Sequence, residues 1–138
     1  KFDLVKPFVG IVEVLQECIA NGDRLSIASS RHIHSLTELL DMNDLSQYFE
    51  IIVSGDQVEN AKPNPEMLFS IAEKCKCDPQ ELVFVGDTKW DMQMAINAGS
   101  IGLGVTWGSH EKALLIESGA SITFDTPEEL QKHFVANS

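Results

Sequence analysis

Leu82-Val83-Phe84-Val85-Gly86-Asp87-Thr88-Lys89-Trp90-Asp91 is the stretch from which the fold can be read. Four apolar residues run without a polar interruption and stop at Gly86, the pattern of a strand buried on both faces of a parallel sheet. Asp91 to Ala98 then has helical character and Gly99 ends it, as a C-cap glycine does. Asp87 therefore stands where a strand ends. Asp91 lies four residues on, in the first turn of the next helix, so both carboxylates can face one crevice.

Working outward, the alternation of strand and helix repeats. On the amino-terminal side, Phe8 to Ala20 carries Val9, Val12, Leu15 and Ile19 at helical spacing and is closed by Asn21-Gly22. Leu25 to Ala28 reads as a strand, His34 to Met42 as a helix and Glu50 to Val53 as a strand. Gly55 to Asn64 reads as a loop, and Pro65 opens a helix carrying Met67, Leu68, Ile71 and Ala72. On the carboxyl-terminal side follow Leu103 to Thr106 (strand), Lys112 to Ser118 (helix), Ser121 to Phe124 (strand) and Pro127 to Phe134 (helix). Strands separated by helix-length segments predict an α/β fold: a Rossmann-like, three-layer parallel sheet with helices on both faces.

At 138 residues the chain has room for one domain, spanning 1–138. Ten basic against twenty-one acidic side chains give a net charge of −11, which disfavours nucleic acid and anionic membrane surfaces as partners. No apolar run approaches the roughly 20 residues of a membrane span, and Lys1 to Pro7 does not read as a signal peptide, so a cytoplasmic location is expected. Cys18, Cys75 and Cys77 fit a reducing compartment. Cys75-x-Cys77 reads as packing at a helix end.

In parallel α/β sheets, ligands gather beyond the carboxyl ends of the strands. This selects Ser29-Ser30-Arg31, Ser54-Gly55-Asp56 and Gly86-Asp87-Thr88. Two carboxylates about 4 Å apart repel by roughly 4 kcal/mol at an effective dielectric near 20, and a hard divalent cation such as Mg2+ relieves this. The other reading of the same spacing makes Asp91 a helix-terminal acid and Asp87 a turn residue. Ser29 and Ser30, with the backbone N–H groups that precede a helix, form a candidate phosphate cradle, although serines after strands also serve as turn formers and N-caps. Lys62 sits in Ala61-Lys62-Pro63-Asn64-Pro65, where two prolines stiffen the backbone. His32 and His34 have no third ligand nearby and are assigned structural or solvent roles. Arg31 reads as a helix-start surface residue that can also reach substrate, and Trp90 and Trp107 as aromatic packing near the rim.

The order and spacing of these motifs resemble the haloacid dehalogenase (HAD) superfamily, and within it the phosphoglycolate phosphatase-like group. Pro7-Phe8-Val9-Gly10 resembles the segment that re-enters the core domain after the cap, and Leu25-Ser26-Ile27-Ala28-Ser29 the second motif. Lys62-Pro63-Asn64-Pro65 is similar to the third motif and Val83 to Asp91 to the fourth. Gly104-Val105-Thr106-Trp107-Gly108 and Ala120 to Leu130 continue the likeness. The resemblance implies a Mg2+-dependent phosphatase acting on a small phosphorylated metabolite. Ser29 and Ser30 would bind the phosphoryl group, Lys62 would offset its charge, Asp87 would ligate the metal, and Asp91 would serve the metal site directly, from the second shell or through Lys62.

One departure stands out. The family opens with a strand ending in Asp-x-Asp, the first acid being the nucleophile, and no Asp-x-Asp occurs in this sequence. Asp3, in Phe2-Asp3-Leu4-Val5, lacks the second acid and the preceding apolar strand. The absent strand is the central one of the family's sheet, between those ending at Ser29 and Asp87, and the substrate-selecting cap is absent as well. The chain thus resembles the carboxyl-terminal part of a larger hydrolase. It is expected to turn over little or no substrate alone, and to pair with the missing N-terminal segment or with itself through open sheet edges. The alternatives are a catalytically inactive HAD-fold binding module and a metal-free haloacid dehalogenase.

Overall fold

Strand residues of this chain point alternately to two helical layers, and that period of two organises the molecule. The structure, a computed structural model, describes residues 11–136. Its elements are α1 (Ile11–Ala20), β1 (Ser26–Ser29), α2 (Ile33–Met42), β2 (Ile51–Ser54), α3 (Glu66–Cys75), β3 (Val83–Gly86), α4 (Lys89–Ala98), β4 (Ile101–Val105), α5 (Lys112–Glu117), β5 (Ile122–Phe124) and α6 (Pro127–Ala136). Ile27 and Ile52 pack with α1 and α2, whereas their neighbours Ala28 and Val53 pack with α3 and α4. Further along, Phe84 joins the α3–α4 cluster while Val85, Leu103 and Val105 join α1 and α6. The result is the expected three-layer arrangement, with parallel strands between two layers of helices.

The sheet is in two pieces. β1 pairs with β2, with Ser29 opposite Ser54, and β3–β4–β5 form a separate parallel sheet in which Gly86 stands opposite Gly104. Between β1 and β3 lies a cavity of about 460 Å³, walled by Ile27 and Ala28 on one side and Phe84 and Val85 on the other. Cys18, Cys75 and Cys77 also face it. Each facing strand thus has an edge with no strand partner among the described residues.

Several boundaries differ from the sequence-based expectations. β4 begins at Ile101 rather than Leu103, because Gly102 and Gly104 weaken the apolar signal while serving the packing. A Cβ on Gly102 would lie 3.3 Å from that of Ala95 in α4, and one on Gly104 would lie 3.1 Å from Leu115 in α5. Short side chains there bring the helices close. α4 starts at Lys89, two residues early, because Thr88 caps it. The Gly55 to Asn64 loop opens with a 3-10 turn over Gly55–Gln57. The readings of Asp3 and of Pro7 to Gly10 fall outside the described residues. Among those described, no helix is long and apolar enough to cross a membrane.

Candidate functional site

Lys62 brings the two pieces of the sheet together. Its ammonium donates to the Ala28 carbonyl at 3.1 Å, one residue before the end of β1, and to Asp91 Oδ1 at 2.8 Å, in the first turn of α4. Its side chain is 5% exposed and that of Asp91 0%, so this is a desolvated ion pair. The ammonium also lies 5.4 Å from the centroid of the Phe84 ring. The Lys62–Pro63 peptide is cis.

Both oxygens of Asp91 have protein partners. Oδ2 accepts from the Thr88 backbone N–H at 3.1 Å and the Thr88 hydroxyl at 2.8 Å, while the Asp91 N–H donates back to Thr88 Oγ1 at 3.2 Å. This reciprocal cap satisfies N–H groups that a helix start leaves without intrahelical partners. The expectation of Asp91 as a metal ligand is thereby narrowed, since its carboxylate is engaged in holding Lys62 and capping α4.

Asp87 follows β3 and is 2% exposed. Its Oδ2 accepts the Ser109 N–H at 3.1 Å and its carbonyl accepts the His110 N–H at 3.1 Å. A Cβ on Gly108 would fall 2.4 Å from Asp87 Oδ2. Ser109 and His110 did not stand out in the sequence, because their contacts to Asp87 are made by backbone. A buried carboxylate with hard oxygen donors at the rim fits Mg2+, which takes one or two carboxylates and completes its shell with waters and substrate oxygens. Among the described residues, no cluster of three or more His, Cys, Asp or Glu forms a protein-only metal cage.

Ser29 ends β1, is 3% exposed, and accepts the Arg31 N–H on Oγ at 3.2 Å, which orients its hydroxyl. Ser30 is exposed on the following loop. Two N–H groups at the start of α2 are engaged within the protein. Ile33 N–H donates to Asp56 Oδ1 at 2.9 Å and His34 N–H to His32 Nδ1 at 3.3 Å, so both are spent on protein acceptors. Asp56 also accepts from the Ser54 hydroxyl at 2.6 Å and lies 3.2 Å from His32 Nε2. The Ser54 hydrogen bond in particular holds its carboxyl below the usual aspartate range. Gly55 N–H donates to the Arg31 carbonyl at 3.0 Å, and any side chain on Gly55 would meet the Ser30 carbonyl at 2.4 Å. Asp56 and Gly55 thus staple the serine loop to the loop after β2.

The remaining candidates make contacts within the protein. His32 caps α2 and stacks on His34 with centroids 5.4 Å apart. Arg31 reaches Ser35 Oγ at 3.2 Å. Trp107 packs against the core clusters, and Trp90 is 44% exposed beside His110.

Comparison with known proteins agrees with this geometry. The chain is 29% identical over 123 residues to a phosphoglycolate phosphatase of Salmonella typhi, covering 89% of this chain and 49% of that protein. It is 34% identical over 101 residues to the phosphoglycolate phosphatase of Escherichia coli K12, covering 73% and 40%. The chain therefore spans about half the length of the curated relatives it matches. Among solved structures, a hydrolase from Pseudomonas syringae superposes with a TM-score of 0.85 at 27% identity, covering 95% of this chain and 62% of that one. A HAD family hydrolase from Deinococcus radiodurans, solved with bound phosphate and sodium, shares the fold with a TM-score of 0.85 at 22% identity, covering 94% and 59%. The family model for haloacid dehalogenase-like hydrolases matches residues 1–105, a stretch that takes in β1, Lys62 and the Asp87–Asp91 turn, and the chain belongs to that family.

Proposed function

We propose that this chain supplies most of the phosphate- and metal-binding half of a Mg2+-dependent phosphatase acting on a small phosphate monoester of the phosphoglycolate type. The observation that carries the proposal is the buried Lys62, held at one point by the end of β1 and at another by Asp91. A desolvated ammonium at the carboxyl ends of parallel strands suits an anionic substrate, and phosphoryl transfer depends chiefly on positioning and charge stabilisation. In this proposal Ser29 donates its hydroxyl proton to a phosphoryl oxygen, and Ser30 contributes from the exposed side of the same loop. Lys62 neutralises charge on the phosphoryl group, while Asp91 keeps the ammonium in place. Asp87 would hold the metal, which when bound offsets charge on the phosphoryl oxygens.

The nucleophile is proposed to come from a segment outside this chain, seated between β1 and β3. Support comes from the divided sheet, the absence of Asp-x-Asp from the sequence and the half-length match to relatives. The same open edges support self-association as the competing use of the cleft; size-exclusion light scattering with and without the added segment separates the two. The functional test is hydrolysis of phosphoglycolate and p-nitrophenyl phosphate with and without Mg2+. The assay compares the chain alone, the chain supplemented with an Asp-x-Asp strand segment from a relative, and the supplemented Asp87→Asn variant. Expected are little turnover alone, Mg2+-dependent turnover on supplementation and its loss in Asp87→Asn. The lack of Asp-x-Asp also favours a second reading, an inactive binding module, and phosphate binding without turnover in every arm would establish it.

A further inference from the structure

We infer that His110 is a positioning residue for the Asp87 carboxylate, acting through the segment Gly108–His110. The inference rests on the proposed role of Asp87 as the metal-binding acid. His110 fastens the segment after β4 to the turn between β3 and α4 at two points. Its Nδ1 accepts the Lys89 backbone N–H at 3.0 Å, and its own backbone N–H donates to the Asp87 carbonyl at 3.1 Å. The Lys89 N–H belongs to the first turn of α4, where backbone donors lack intrahelical acceptors. Thr88 answers for the Asp91 N–H, and His110, from twenty-one residues away, answers for Lys89. The ring also sits tilted against Trp90, with centroids 5.4 Å apart, and Lys89 Nζ lies 5.1 Å from the Trp90 ring on the same turn.

The anchor matters because of what lies between its ends. With His110 fixed to α4, the Ser109 N–H is held at 3.1 Å from Asp87 Oδ2, and Gly108 passes so close that even a methyl group would collide with the carboxylate. Turning the Asp87 carboxylate about its Cβ–Cγ bond then breaks the hydrogen bond from the Ser109 N–H. Its orientation is therefore set before any cation arrives. Groups hydrogen-bonded directly to a metal-ligating side chain, the place the Ser109 N–H holds here, typically change metal affinity about 10- to 100-fold when removed. What the side chain supplies at Nδ1 is a hydrogen-bond acceptor close to its own backbone.

That requirement defines the test. Asn places its acceptor oxygen where Nδ1 stands, Gln places it further out, and Ala has none. The chain and its His110→Asn, His110→Gln and His110→Ala variants are compared by amide hydrogen exchange at Ser109 and by calorimetric titration with MgCl2. The expected result is wild-type-like Ser109 protection and Mg2+ affinity in His110→Asn, with exchange at the rate of an open loop and affinity roughly tenfold weaker in His110→Gln and His110→Ala. Should His110→Ala fail to fold, the contrast between Asn and Gln decides. Unchanged Ser109 protection in Gln and Ala, or lost protection with undiminished Mg2+ affinity, overturns the inference. If the wild-type chain binds no Mg2+, the metal role of Asp87 falls, while the exchange data still decide whether His110 holds that residue.

Discussion

An ion pair stands at each end of the strands, and the two differ in almost everything except length. At the amino ends of the strands, Arg24 and Glu50 meet side by side at 2.9 and 3.1 Å, each side chain 53% exposed. At the carboxyl ends, Lys62 and Asp91 meet at 2.8 Å, almost fully buried. The exposed pair keeps its water, so its attraction is screened and adds little to stability. The buried pair has given up solvation worth several kcal/mol per ion, and mutual attraction returns this only with good additional hydrogen bonds. Ala28 and Thr88 supply those bonds. A costly arrangement of this kind at the end where ligands gather is better explained by chemistry than by stability.

The contrast can be broken in order of size. Asp91→Ala strands a buried ammonium and removes a helix cap, so urea unfolding is expected to show a loss of about 3–5 kcal/mol; a loss near zero would mean that water reaches Lys62. Gly108→Ala forces a methyl group into Asp87, with an expected cost of about 1–3 kcal/mol and a fall in Mg2+ affinity larger than that of any His110 variant, both measurable on one preparation. Asp56→Ala should loosen the serine loop, read as faster amide exchange at Ile33 and weaker binding of inorganic phosphate. Because the folded Asp56 carboxyl titrates below its unfolded range, its contribution is present above that range and disappears as the pH falls through the folded value. Arg24→Ala should have the smallest effect, confined to low salt. Glu50 is likewise held below the usual glutamate range by Arg24, so this effect fades as pH falls through the folded Glu50 value.

Much of this arrangement was legible in the sequence where side chains act through spacing and strand ends. Ser29 and the Asp87–Asp91 interval were identifiable because a parallel sheet sends its carboxyl ends to one rim, whereas Lys62 was marked by its flanking prolines and by likeness to a family motif. The Thr88–Asp91 cap was present in the letters as Thr-x-x-Asp, a relative of the capping box. What could not be read is what the backbone does. Ser109 and His110 hold Asp87 through their N–H groups, which every non-proline residue carries, so residue type gives no signal. The start of α2 teaches the same: a helix start offers donors, and only the fold reveals that Asp56, from a distant loop, already accepts one. The glycines of β4 concealed the start of the strand because their value lies in an absent side chain, judged only when the neighbouring helix is in place.

The three cysteines on the wall of the cleft give this protein an internal gauge. Burial pushes the Cys18 thiol up to about 11 and raises that of Cys77 as well, so neither carries much thiolate at neutral pH. Alkylation will be slow, and its rate will follow how often the cleft admits the reagent rather than the reactivity of the sulfur. Whatever chain comes to lie between β1 and β3 will shield those sulfurs, and mass spectrometry after timed exposure to iodoacetamide would record its arrival without a label, a substrate or a metal.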